Sequence, residues 1–152
     1  MRLEKIIRIG FAIFVGVLFI NCSSDDDSTM NDPQKNAIEN EVKSGSWIIT
    51  EYIDDGVDET YHYDGYEFTF GDSGVLTATN GTNTYTGTWS VTDDNDDDSQ
   101  SDHDLVIYFT SPANFEELSD DWDIMTHNSN TIELFDVSGG NGTTDYLTFQ
   151  KM

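Results

Sequence analysis

Hydrophobic and polar positions follow successive patterns along this chain. From Ile9 to Ile20 no side chain is polar, whereas Ser23 to Asn31 is almost wholly polar or acidic and has no period. A short helical pattern follows from Pro33 to Lys43. Asp32 is placed to cap it, Pro33 takes the first helical position, and Ala37, Ile38 and Val42 form a thin apolar stripe. From Ser44 onward the period is two, which sets successive side chains on opposite faces of a β-strand.

Trp47, Ile49, Glu51 and Ile53 alternate with Ile48, Thr50 and Tyr52 in a first strand. Tyr66, Phe68 and Phe70 alternate with Glu67 and Thr69 in a second, which ends at the turn-forming Gly71-Asp72-Ser73-Gly74. Val75 to Thr79 leads to Asn80-Gly81, a hairpin signal because both residue types tolerate positive φ. Tyr85, Gly87, Trp89 and Val91 then share one face, opposite Thr84, Thr86, Thr88 and Ser90. Leu105 to Thr110 is a nearly continuous apolar strand, and Pro112 to Ser119 suits one helical turn. Trp122 to Thr126 and Thr131 to Val137 pair across His127–Asn130, and Ser138–Gly142 leads to a last strand, Asp145 to Lys151. Eight antiparallel strands in sequence order predict an all-β fold, an up-and-down barrel with a short N-terminal helix. Closure removes the exposed edges of an open sheet.

The apolar run near the start is preceded by Arg2, Lys5 and Arg8 and ends at Asn21-Cys22. A basic segment before about 12 apolar residues has the form of a secretory signal peptide, and falls short of the roughly 20 residues that span a bilayer. Cys22 is the only cysteine, so no disulfide can form within the chain. Leu18-Phe19-Ile20-Asn21-Cys22 resembles the lipobox of bacterial lipoproteins, in which a signal peptidase cuts before a cysteine carrying a diacylglyceryl group. Ser23-Ser24-Asp25-Asp26-Asp27 is similar to the surface-export run of Bacteroidetes lipoproteins, and Asp27-Ser28-Thr29 to their short O-glycosylation motif. These resemblances imply a signal peptide at 1–21, lipidation at Cys22, and a tether at 22–32 to the outer membrane at the cell surface. The helix at 33–43 and a barrel at 44–152 complete the chain.

Charge supports an outward address. The chain carries 30 acidic and 6 basic residues, a net charge of −24. Loss of residues 1–21 removes Arg2, Lys5, Arg8 and Glu4, leaving a net charge of −26. Such a chain repels a phosphate backbone, so nucleic acid is excluded as a partner. Sixteen of the nineteen aromatic residues lie beyond the signal segment, in short alternating runs, and supply a core that the sparse aliphatic residues do not.

Gly45-Ser46-Trp47 at the start of the first strand resembles the Gly-x-Trp signature of lipocalin-like barrels, in which the tryptophan plugs one end. The resemblance covers Ser44 to Met152, about 70% of the chain, and extends to Gly87-Thr88-Trp89, a later Gly-x-Trp found in small lipocalin-like lipoproteins of Bacteroidetes. It implies that Lys151 packs over the Trp47 ring and that Asp54 to Gly65 loops over the open mouth. It also suggests a small apolar or aromatic ligand; the barrel is expected to be a monomer.

Two sites are candidates. Trp47, Tyr66, Phe68, Phe70, Tyr85 and Trp89 either line a ligand pocket or fill the core. Tyr61, His62 and Tyr63 in the first loop either meet a ligand at the mouth or pack down as a lid. Asp93, Asn95, Asp97, Ser99, Ser101 and Asp104 have the spacing of EF-hand ligands, a candidate Ca²⁺ site or a solvated acidic loop. His103, between Asp102 and Asp104, is a further candidate for a metal. Catalysis is not expected. His62, His103 and His127 form no H-E-x-x-H pair, and no serine sits in a G-x-S-x-G elbow.

Overall fold

A computed structural model describes residues 32–93, 103–137 and 142–152. The signal segment, Cys22, the tether up to residue 31, Asn95, Asp97, Ser99, Ser101 and residues 138–141 lie outside them. Helix α1 (Pro33–Val42) is capped by Asp32, whose carboxylate accepts from the Gln34 amide at 2.8 Å. Ile38 and Val42 are buried in the core, and Ala37 faces solvent.

Nine strands follow among the described residues: β1 (Ser46–Asp54), β2 (Val57–Asp58), β3 (Glu67–Phe70), β4 (Val75–Thr79), β5 (Thr84–Asp93), β6 (His103–Tyr108), β7 (Asp120–His127), β8 (Thr131–Val137) and β9 (Thr144–Lys151). All neighbours pair antiparallel. The two-residue β2 folds back on the end of β1, and the other eight strands close through the β1–β9 pairing into an up-and-down barrel. Inward positions are strongly apolar. Trp47, Phe68, Leu76, Leu105, Leu147 and Phe149 are completely enclosed.

Two details of the strand pattern differ from expectation. In β1 the inward residues are Trp47, Ile49 and then Tyr52, while Thr50 and Glu51 are both exposed. The pairing with β9 slips between Ile49 and Glu51, a bulge that inserts one residue and reverses which parity faces inward. Simple alternation therefore fails at Glu51 and Ile53. At the β4–β5 hairpin only Gly81 has positive φ. Asn80 instead uses its side-chain oxygen to accept from the amides of Thr82 and Asn83, at 3.1 and 2.8 Å, closing a four-residue loop.

Helix α1 lies over the barrel end where β1 begins. The Trp47 indole donates to the Val42 carbonyl at 2.8 Å, and the Lys151 ammonium stands 5.8 Å from the centre of the Trp47 ring, as the sequence led us to expect. His103 meets the helix-capping Asp32 at 2.7 Å, and His127 meets Glu41 at 2.6 Å. At the opposite end, the β1–β3 connection forms a 3₁₀ turn, Thr60–Tyr63, and the β6–β7 connection forms α2 (Ala113–Glu116).

Candidate functional site

The six aromatic residues singled out from the sequence sit on the inward face. Trp47 and Phe68 are fully buried; Phe70, Tyr66 and Trp89 are nearly so, and Tyr85 is partly covered. They meet one another and further rings. Phe70 packs edge-on to Trp89 and Phe149, each at 5.5 Å between centres, and Phe68 packs on Phe149 at the same distance. Such edge-to-face pairs within about 7 Å are the favoured aromatic geometry. The Trp89 indole nitrogen donates to the Gly71 carbonyl at 3.0 Å, so its polar edge is already used.

Phe115, on α2, fills the space between the remaining rings. Its centre lies 4.7 Å from Tyr85, 5.1 Å from Tyr66, 5.3 Å from Phe109, 5.4 Å from Tyr63 and 6.1 Å from Phe68. A ring in that position plugs the end opposite α1. The segment that carries it is fastened by surrounding side chains. Tyr52 donates its hydroxyl to the Glu117 carbonyl at 2.8 Å, Tyr63 to that of Asn114 at 2.5 Å, and the Trp122 indole to that of Leu118 at 3.1 Å. Ser119 closes its base, accepting from the Phe109 amide at 2.8 Å. These bonds satisfy carbonyls that a one-turn helix leaves free. Burial, reinforced by nearby carboxylates, pushes the Tyr52 and Tyr63 hydroxyls well above the usual tyrosine range, so both remain donors.

The first loop divides in its behaviour. Tyr63 is buried against Phe115 and Tyr52, whereas Tyr61 is 63% exposed. His62 is half-buried between them, its ring 4.2 Å from that of Tyr61.

Of the acidic residues with EF-hand spacing, Asp93 and Asp104 can be placed. Asp93 pairs across the ladder with His103, and Asp104 with Thr92, so the two carboxylates lie on opposite faces of the sheet and do not converge. Asp93 turns instead toward His103, at 3.7 Å, and toward Lys35, at 3.9 Å. The hydrogen bond from His103, followed by that of the Gln34 amide, holds the Asp32 carboxyl below its ordinary range. The Asp32–His103 pair thus joins the start of α1 to β6.

Outside the wall, β7, β8 and β9 form a cleft of about 370 Å³ lined by Ile124, Met125, Phe135, Val137, Thr144 and Tyr146. A second bulge produces it. The β7–β8 register slips between Ile124 and Thr126, and Met125 is left on the surface, 52% exposed. Sequence periodicity missed both this cleft and the plug. Phe115 lies in a polar loop, and a single aromatic residue there carries no period to mark it.

No family model matches the chain, and no curated protein matches it. It is similar to the crystal structure of a DUF4847 family protein from Bacteroides vulgatus, with 18% identity and a TM-score of 0.47, over 76% of this chain and 97% of that one.

Proposed function

We propose that this protein is a lipid-anchored lipoprotein of the outer membrane, held at the cell surface through Cys22, whose lipocalin-like barrel is a solid module. In this reading it acts through its acidic outer surface, as a structural or interaction protein meeting a partner protein or glycan. It is neither an enzyme nor the carrier of a small apolar ligand. One observation supports the solid barrel above all others: Phe115 occupies the space among Tyr63, Tyr66, Phe68, Tyr85 and Phe109 that a ligand would need. Binding there would require expelling Phe115 and exposing a phenylalanine side chain, whose burial is worth about 1.5–3 kcal/mol.

The address is supported by the sequence: the apolar run before Cys22, the lone cysteine, and Ser23-Ser24-Asp25-Asp26-Asp27 after it. Acyl chains contribute about 0.8 kcal/mol per buried CH₂, and two or more anchor a protein stably. Mass spectrometry of the natively expressed, full-length lipoprotein tests both halves. Diacylglyceryl on Cys22 and no small molecule near one per chain are expected. An apolar or aromatic compound bound at that ratio would overturn the solid barrel, and an unmodified Cys22 would overturn the anchor.

A further inference from the structure

We infer that Glu59, His62 and Glu117 form a divalent transition-metal site, of the zinc class, that clamps the plugged end of the barrel. Glu59 and His62 are three residues apart, and the fold brings the sequence-distant Glu117 to them. Glu59 precedes the 3₁₀ turn, His62 lies within it, and Glu117 follows α2 on the other long connection. One ligand atom from each lies within 4.8 Å of the others. The His62 Nδ1 atom is enclosed and has no hydrogen-bond partner. Glu59 Oε2 lies 3.6 Å from it and Glu117 Oε2 4.0 Å.

Those separations are too long for hydrogen bonds, which for N–H···O run to about 3.2 Å. They suit atoms sharing one ion: bonds of about 2.0–2.2 Å to zinc set neighbouring tetrahedral ligands roughly 3.3–3.6 Å apart. A small inward movement of Glu117 completes the fit. An enclosed nitrogen without a partner is costly, and coordination would satisfy it. An imidazole with two carboxylates suits zinc and its neighbours in the first transition row, whereas calcium takes oxygen ligands alone. Three protein ligands leave the fourth position to water.

The other histidine cluster differs in this respect. His103 already meets Asp32 at 2.7 Å, and Lys35 stands 3.9 Å from Asp93. Among the described residues, it is His62 that has an enclosed ring nitrogen with no hydrogen-bond partner. Since Tyr63 follows His62 and packs on Phe115, and Glu117 lies just beyond Phe115, an ion here would fasten the turn to the plug.

Zinc titration by calorimetry tests the site, using the full chain in detergent with Cys22→Ser in every sample to remove the competing thiol. One zinc per chain is expected, with a higher thermal midpoint in zinc than in chelator. His62→Ala and Glu117→Gln should each weaken binding at least about tenfold, comparable to or beyond the loss of a supporting outer-shell partner, while His103→Ala leaves it unchanged. Glu117→Gln preserves side-chain shape and keeps the test valid if His62→Ala disturbs the turn. Absence of zinc binding in the parent, equal affinity in the His62 and Glu117 variants, or loss only in His103→Ala would overturn the inference.

Discussion

The ring of Phe115 stands 4.7 Å from that of Tyr85, although the two belong to a short helix and a strand on separate parts of the chain. This contact turns a barrel with a potential mouth into one stoppered at both ends. Helix α1 covers one end through Trp47, and α2 closes the other. Tyr66 stacks beside Tyr85 at 5.8 Å, and the hydrogen bond that the Tyr85 hydroxyl donates to Tyr66 raises the Tyr85 hydroxyl above its ordinary range. The ring edges at the closed end therefore have partners of their own.

Trp47 joins helix to barrel, and its loss has a defined cost. Trp47→Phe removes the indole donor, leaves the Val42 carbonyl without its bond, and opens a small void. A loss of about 1–3 kcal/mol is expected for a buried group left unsatisfied. Lys151→Met keeps the aliphatic stem over the ring and removes the cation together with its exposed hydrogen bond to Ser44 Oγ, costing about 1 kcal/mol or less. Urea unfolding of the two variants should show that order.

Much of this architecture is legible in the sequence because alternation is a local property. The eight barrel strands and the capped helix follow from residue spacing, and Gly45-Ser46-Trp47 marks the end that α1 covers. The bulges are not legible. One inserted residue at Thr50 moves Tyr52 into the core, and this is decided by pairing with β9 across most of the chain. Nor are Phe115, or the meeting of His62 with Glu117, because loop residues converge only once the barrel has closed. Asp93 and Asp104 lie on opposite faces of the sheet, which follows from their ladder partners and not from their linear spacing.

Gly87 is required by close packing. A Cβ at this position would strike the Tyr108 carbonyl oxygen and come within 2.8 Å of Phe109 Cδ1. The carbonyl belongs to the neighbouring strand's backbone and cannot swing away. Gly87→Ala should destabilise the fold by about 1–3 kcal/mol, the usual range for overpacking. An unchanged urea midpoint would show that β5 and β6 have room to separate.

Asp120 gives the barrel a pH response. Burial, then the adjoining Asp121 carboxyl and the charge of Asp136, push its carboxyl up to about 6. A folded state that holds this proton more tightly than the unfolded chain gains stability at low pH. That gain is lost as pH rises from about 4 through about 6. Asp120→Asn should therefore raise the thermal midpoint relative to the parent at pH 7, with the difference shrinking toward pH 4. A difference constant across this range would contradict the assignment.

Phe115→Ala supplies the most direct test. Removing the ring should cost about 3–5 kcal/mol and leave a dry cavity lined by Tyr63, Tyr66, Phe68, Tyr85 and Phe109. Engineered apolar cavities of this kind bind benzene. The measurement is benzene binding followed by NMR shifts of the aromatic core in the parent and in Phe115→Ala. No binding by the parent and saturable binding by the variant are expected; saturable binding by the parent, no weaker than the variant's, would contradict the solid barrel.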